Sequence, residues 1–143
     1  MKNLLIINGP NLNLLGKREP VLYGSNSFSD VLENIRSIYP DASISYFQSN
    51  DESELIQALH GASANGVVGI VLNPAAYTHT SIALADAVMA IDIPVIEVHI
   101  SNVFARENFR KESYISKFAK GVIVGFGVES YRLAIDHFMR SEN

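Results

Sequence analysis

Three stretches of this 143-residue chain hold most of the side chains that could do chemistry. The first runs from Asn8 to Gly24 and carries the amides of Asn8, Asn11 and Asn13, the guanidinium of Arg18 and the phenol of Tyr23. The second, Asn73-Pro74-Ala75-Ala76-Tyr77-Thr78-His79-Thr80-Ser81, adds an amide and an imidazole. In the third, Glu97 and His99 stand two apart, and so on one face of a strand, and are followed by Ser101, Asn102 and, further on, Arg110. Imidazole, phenol and carboxylate are groups that move protons, whereas amides, hydroxyls and guanidinium bind anions and hydroxyl groups. His60 and His137 fall within helical patterns and read as structural.

The sequence offers little for a cofactor, and none is expected. There is no GxGxxG after the first strand, no GxxxxGK[ST], and no His/Asp/Glu set with metal spacing. With no cysteine, a disulfide scaffold and a thiolate metal site are excluded. Lys2 precedes the first strand and Lys17 lies in the loop after it, so Schiff-base chemistry through a desolvated lysine is disfavoured. A net charge of −4 without a Lys/Arg block gives no footprint for nucleic acid, yet a local cluster of donors can still hold an anion. The apolar run at Leu4–Ile7 is too short for a signal peptide or a membrane span, so a soluble cytoplasmic protein is the expectation.

These groups need elements to position them. At 48% hydrophobic and 18% charged, the chain reads as one globular domain over residues 1–143. Leu4–Ile7, Val67–Leu72, Val95–Ile100 and Val122–Val124 are apolar runs of the kind found in strands covered on both faces. Ser43–Phe47 alternates instead and suits an edge strand. Helical spacing links Phe28, Val31, Leu32 and Ile35 behind a Ser27 cap, Leu55, Ile56 and Leu59 behind Asn50, Ile82 to Ile91 before Pro94, and Tyr131 to Phe138. Residues 102–120 read as one short helix within irregular chain. Strands alternating with helices predict an α/β, flavodoxin-like three-layer sandwich, its five-stranded parallel sheet in the order 2-1-3-4-5. Ligands in such sheets bind beyond the carboxyl ends of strands 1 and 3, where the chain reverses direction. The three stretches all fall there. The connection from Asn8 to Gly24 is long, with Gly and Pro hinges, and reads as a lid.

Four blocks resemble the type II 3-dehydroquinate dehydratases. They are Asn8-Gly9-Pro10-Asn11-Leu12-Asn13 through Arg18-Glu19-Pro20 and Tyr23-Gly24; Phe47-Gln48-Ser49-Asn50; Asn73 to Ser81; and Glu97-Val98-His99-Ile100-Ser101-Asn102 through Arg106-Glu107 and Phe109-Arg110. The resemblance implies Tyr23 as base with Arg18 beside it, His99 as acid held by Glu97, and Asn11 near the enolate. It implies substrate contacts from Asn73, His79, Ile100, Ser101 and Arg110, and assigns Asp86 to a neighbouring subunit's site. It also implies a homododecamer built from trimers. Three positions depart from the family: Ala85 where arginine is common, Ser53 where glycine is frequent, and Ser130 where a glycine precedes the tyrosine.

The implied reaction removes water from 3-dehydroquinate through an enolate, as in the shikimate pathway and equally in quinate breakdown. Moving a phenol from a pKa of about 10 to near 7 takes roughly 4 kcal/mol. A unit charge about 4 Å away supplies roughly that much at an effective dielectric near 20. Two other readings share the crevice: a non-catalytic flavodoxin-like module for a small anion or partner, and a lyase for a different hydroxy-ketone acid.

Overall fold

Successive side chains of a strand point to opposite faces of the sheet, so a strand apolar at every position needs cover on both. The computed structural model, which describes residues 1–17 and 27–142, bears this out along β1 (Lys2–Asn8). Leu4 and Ile6 enter one core, with Phe28, Val31, Leu32 and Ile35 of α1 (Phe28–Ile38) and Tyr131, Ala134, Ile135 and Phe138 of α4 (Glu129–Arg140). Leu5 and Ile7 enter the other, with Leu55 and Leu59 of α2 (Glu52–Gly61) and Leu84, Ala85, Ala87 and Val88 of α3 (Ile82–Ala90). The described residues form a sheet that adds β2 (Ala42–Gln48), β3 (Gly69–Asn73), β4 (Val95–His99) and β5 (Gly121–Val124). Its order is β2-β1-β3-β4-β5 with every neighbouring pair parallel, the topology that the sequence predicts.

The helix starts follow from capping. Ser27 accepts from the Asp30 amide and Ser81 from the Leu84 amide. The second helix begins one residue later than expected. Its cap is Asp51, whose carboxylate accepts from the amides of Ser53 and Glu54, and the Ser53 hydroxyl donates to the same oxygen. Residues 102–120 also differ from expectation, with 3-10 turns at Val103–Ala105, Asn108–Lys111 and Ser116–Phe118 in place of one helix. Side chains there capture backbone amides: Asn102 takes that of Phe104, and Ser113 takes those of Ile115 and Ser116.

The long first connection is partly anchored. Leu12 begins and Leu15 closes a short 3-10 turn, and both are buried in the α1/α4 core. Arg18 and Tyr23 lie outside the described residues. The exits of β1 and β3 are drawn tightly together. Asn8 and Asn73 are register partners, the Gly9 amide donates to the Asn73 carbonyl at 2.8 Å, and the Gly9 α-carbon sits against Pro74.

A Cβ built on Gly9 would stand 2.6 Å from the Pro74 carbonyl oxygen, and backbone cannot step aside as a flexible side chain can. Gly9→Ala is therefore expected to cost about 1–3 kcal/mol. Gly61→Ala, whose Cβ would meet nothing within 4 Å at the end of α2, is expected to be neutral or to gain up to about 1 kcal/mol. Paired thermal melts check the contrast.

Candidate active site

At the carboxyl edge of the sheet the strands stop supplying paired neighbours, and their last side chains face a cleft of about 200 Å³. That is the scale of a small metabolite, below the usual 300–1,000 Å³ of drug-sized pockets. Asn11, Asn73, His79, His99, Ile100, Ser101 and Arg110 all line it. Seven of the residues expected at the site are thus brought together from four separate segments. Glu97 lies beneath His99, and Asp86 stands on the exposed outer face of α3, away from its own chain's cleft.

His99 is buried, and its Nε2 contacts the Glu97 carboxylate, which leaves Nδ1 as the second ring nitrogen for the cleft. Glu97 is 1% exposed. It accepts further from the hydroxyls of Thr78 at 3.0 Å, Ser113 at 3.1 Å and Ser116 at 2.7 Å. Burial alone pushes this carboxyl up. The hydrogen bond and charge of His99, with the hydroxyls of Ser116 and Thr78, outweigh burial and hold it below the usual carboxylate range.

The His79 ring stacks 6.5 Å from that of His99 and meets the Phe109 ring edge-on. Burial pulls His79 below the ordinary histidine range, and the neighbouring His99 and Arg110 add to this against the Glu112 carbonyl. A neutral His79 donates from Nδ1 to that carbonyl at 2.6 Å and presents Nε2 as an acceptor. Arg110 pairs with Glu107 and lies over the Phe109 ring. Asn11 adopts a left-handed conformation, φ 69°, which asparagine tolerates better than most residues. Its amide donates to the Asn50 side chain at 2.9 Å.

Several participants escaped the sequence reading. Arg106 lines the cleft and donates to the Ser101 hydroxyl at 3.2 Å. Asn50, read as a helix start, instead ties three connections together: it holds Asn11, accepts from Gln48, and takes the Tyr77 hydroxyl on its carbonyl. Asn8, read as a turn former, ends β1 inside a buried network. The Tyr131 hydroxyl donates to Asn8 at 2.7 Å and accepts from the Asn73 amide at 2.8 Å. Asn8 in turn donates to Tyr46, and Asn73 accepts from the Ala75 amide. A tyrosine within an apolar helical stripe was the available signal, since a buried phenol needs a partner. Ser130 is buried and donates to the His99 carbonyl at 3.4 Å. Among the described residues no group of three or more His, Cys, Asp or Glu side chains is arranged to hold a metal ion.

The family model for dehydroquinase class II matches residues 2–139. A catabolic 3-dehydroquinase of Emericella nidulans is 51% identical over 138 residues, covering 95% of this chain and 90% of that protein. A 3-dehydroquinate dehydratase of Legionella pneumophila strain Corby is 51% identical over 142 residues, 98% of each chain. The crystal structure of a type II dehydroquinase from Butyrivibrio crossotus superposes with a TM-score of 0.93 at 42% identity, covering 96% of this chain and 97% of that one.

Removing the Tyr131 hydroxyl would leave Asn8 and Asn73 each short of one partner inside the core. At about 1–3 kcal/mol for each of the two unsatisfied buried groups, Tyr131→Phe is expected to lose about 2–6 kcal/mol. Urea unfolding measures the loss, and an unshifted midpoint would show that the bridge contributes nothing to stability.

Proposed function

The chain belongs to the class II dehydroquinase family, and from that premise we propose how its own residues divide the work. It is a hydro-lyase that dehydrates 3-dehydroquinate to 3-dehydroshikimate. A base takes a proton alpha to the ketone, an enolate forms, and an acid protonates the departing hydroxyl. His99 is that acid. The observation that carries this role is its contact with a buried carboxylate at the floor of a cleft lined by amides, hydroxyls and arginines. The Glu97 carboxylate holds the ring through Nε2, and the imidazole gives up its proton as the carbon–oxygen bond breaks.

Tyr23 is the base and Arg18 the guanidinium that lowers its pKa, on the strength of their match to the family's loop. The chemistry of the cleft agrees with a base brought from outside it, since no described residue lining it is a carboxylate or a lysine. Asn11 serves the enolate oxygen as a preorganised donor. Asn73, Ser101, the Ile100 backbone and Arg110 hold the substrate's carboxylate and hydroxyls, and neutral His79 accepts from a hydroxyl.

A homododecamer built from trimers, with Asp86 reaching a neighbouring subunit's site, completes the proposal. The outer face of α3 supports it: Ile82 and Met89 are exposed on either side of Asp86, an apolar surface unusual for a solvated helix. A native mass equal to one chain would refute this part. No helix among the described residues is long and apolar enough to cross a membrane, and a cytoplasmic location belongs to the same reading.

Purified protein mixed with 3-dehydroquinate is expected to develop the ultraviolet absorbance of the conjugated enone. A flat trace from folded protein would favour a non-catalytic binding module. Tyr23→Phe is expected to lose turnover by orders of magnitude while still binding substrate. A near-normal rate would move the base to another group, with His79 first in line.

A further inference from the structure

Hydroxyl groups stabilise an anion without cancelling its charge, and apart from His99 the described side chains that donate to Glu97 do so through hydroxyl groups. We propose that Thr78, Ser113 and Ser116 are positioning residues for the dehydration, holding Glu97 as the uncompensated anion on which the acid His99 depends. The inference rests on the roles given above to His99 and Glu97.

Glu97 is almost wholly out of water, and an isolated carboxylate in that position would take up a proton. Its one ion-pair partner among the described residues is His99. A lysine or arginine in contact would also have kept it ionised, but would have opposed a second positive charge on His99. Three hydroxyls meet the same need with dipoles alone. With His99, they fill about the four acceptor sites a carboxylate offers.

The donors are fixed in place. The Ser113 oxygen accepts the amides of Ile115 at 3.0 Å and Ser116 at 3.1 Å, which leaves its proton for Glu97. Thr78 and the 113–116 segment are joined by the Tyr114 amide, which donates to the Thr78 carbonyl at 2.9 Å. Two connections, after β3 and before β5, therefore close on one carboxylate. Among the described residues, the titrating groups facing it are His99, in contact, and His79, stacked behind His99. Arg110 carries a fixed charge beyond His79, while Lys111, Glu112, Tyr114 and Lys117 on the hydroxyl-bearing segment are exposed.

Losing one donor raises the proton affinity of Glu97, and the anion in contact with His99 is then lost at a higher pH. Protonation of the base Tyr23 sets the acid limb of turnover, so the test follows the Glu97 side-chain carboxyl carbon by NMR against pH, beside kcat for 3-dehydroquinate, in the wild-type chain, Thr78→Val, Thr78→Ser and Ser116→Ala. The Glu97 midpoint is expected to move up by about one unit and kcat to fall in Thr78→Val and Ser116→Ala, and both to return in Thr78→Ser. A Glu97 midpoint that stays in place, or one that moves while kcat is unchanged, overturns the proposal. If Thr78→Val does not fold, the half-buried Ser116 supplies the same comparison. A wild-type chain inactive on 3-dehydroquinate would overturn the catalytic reading itself, whereas an active one with unmoved variants overturns only the role of the hydroxyls.

Discussion

A carboxylate that is 1% exposed must be surrounded by donors, and much of the irregular structure near the site follows from meeting that demand at Glu97. The β3 exit bends through Ala75–His79 and so delivers Thr78. The approach to β5 is broken into 3-10 turns joined by irregular chain, which deliver Ser116 and Ser113 respectively. A regular helix through residues 102–120 would have satisfied its own amides, and Ser113 could not then have captured two of them. Local regularity is given up where a buried charge has to be served.

The opposite face of the same sheet edge is held by a different buried network. Asn8 and Asn73 end adjacent strands in register, and the Tyr131 hydroxyl bridges their side chains from α4. Burial pushes the Tyr131 phenol well above its usual range, so it stays protonated and keeps both hydrogen bonds. Phe28 stacks on Tyr46 and meets Tyr131 edge-on, closing the network from water. Asn73 is also fixed by the Ala75 amide, at a residue whose φ of 53° is uncommon for alanine. A side chain held at both ends can meet a ligand with little loss of freedom.

The strand order was legible because β1, β3 and β4 are apolar at successive positions while β2 alternates, and these patterns are enforced by burial on two faces or one. The histidine–glutamate pair was legible because spacing of two along a strand fixes a common face. The parts that were not legible depend on partners distant in sequence. Tyr131 meets Asn8 across 123 positions, and Ser116 meets Glu97 across 19. Neither serine of the 113–116 segment has a local pattern that separates a donor to a buried anion from a turn residue. The misplaced start of α2 has a similar origin, since Asn50 and Asp51 are both good caps and only the tertiary demand of Asn11 decides between them.

Charge on the whole chain and charge at the cleft have opposite tendencies, and the two networks explain how they coexist. The sequence carries −4, yet no described residue lining the cleft is acidic, and Arg106 and Arg110 both face it. The carboxylate proposed to support the acid is kept a layer below the surface, where hydroxyl dipoles satisfy it and His99 stands between it and the cleft. An anionic substrate then meets guanidinium and amide donors first, while the negative charge beneath acts mainly on the imidazole in contact with it. Had Glu97 lined the cleft, it would have repelled the substrate carboxylate. Had a cation neutralised it, the acid would have lost its support. Burial among hydroxyls avoids both costs.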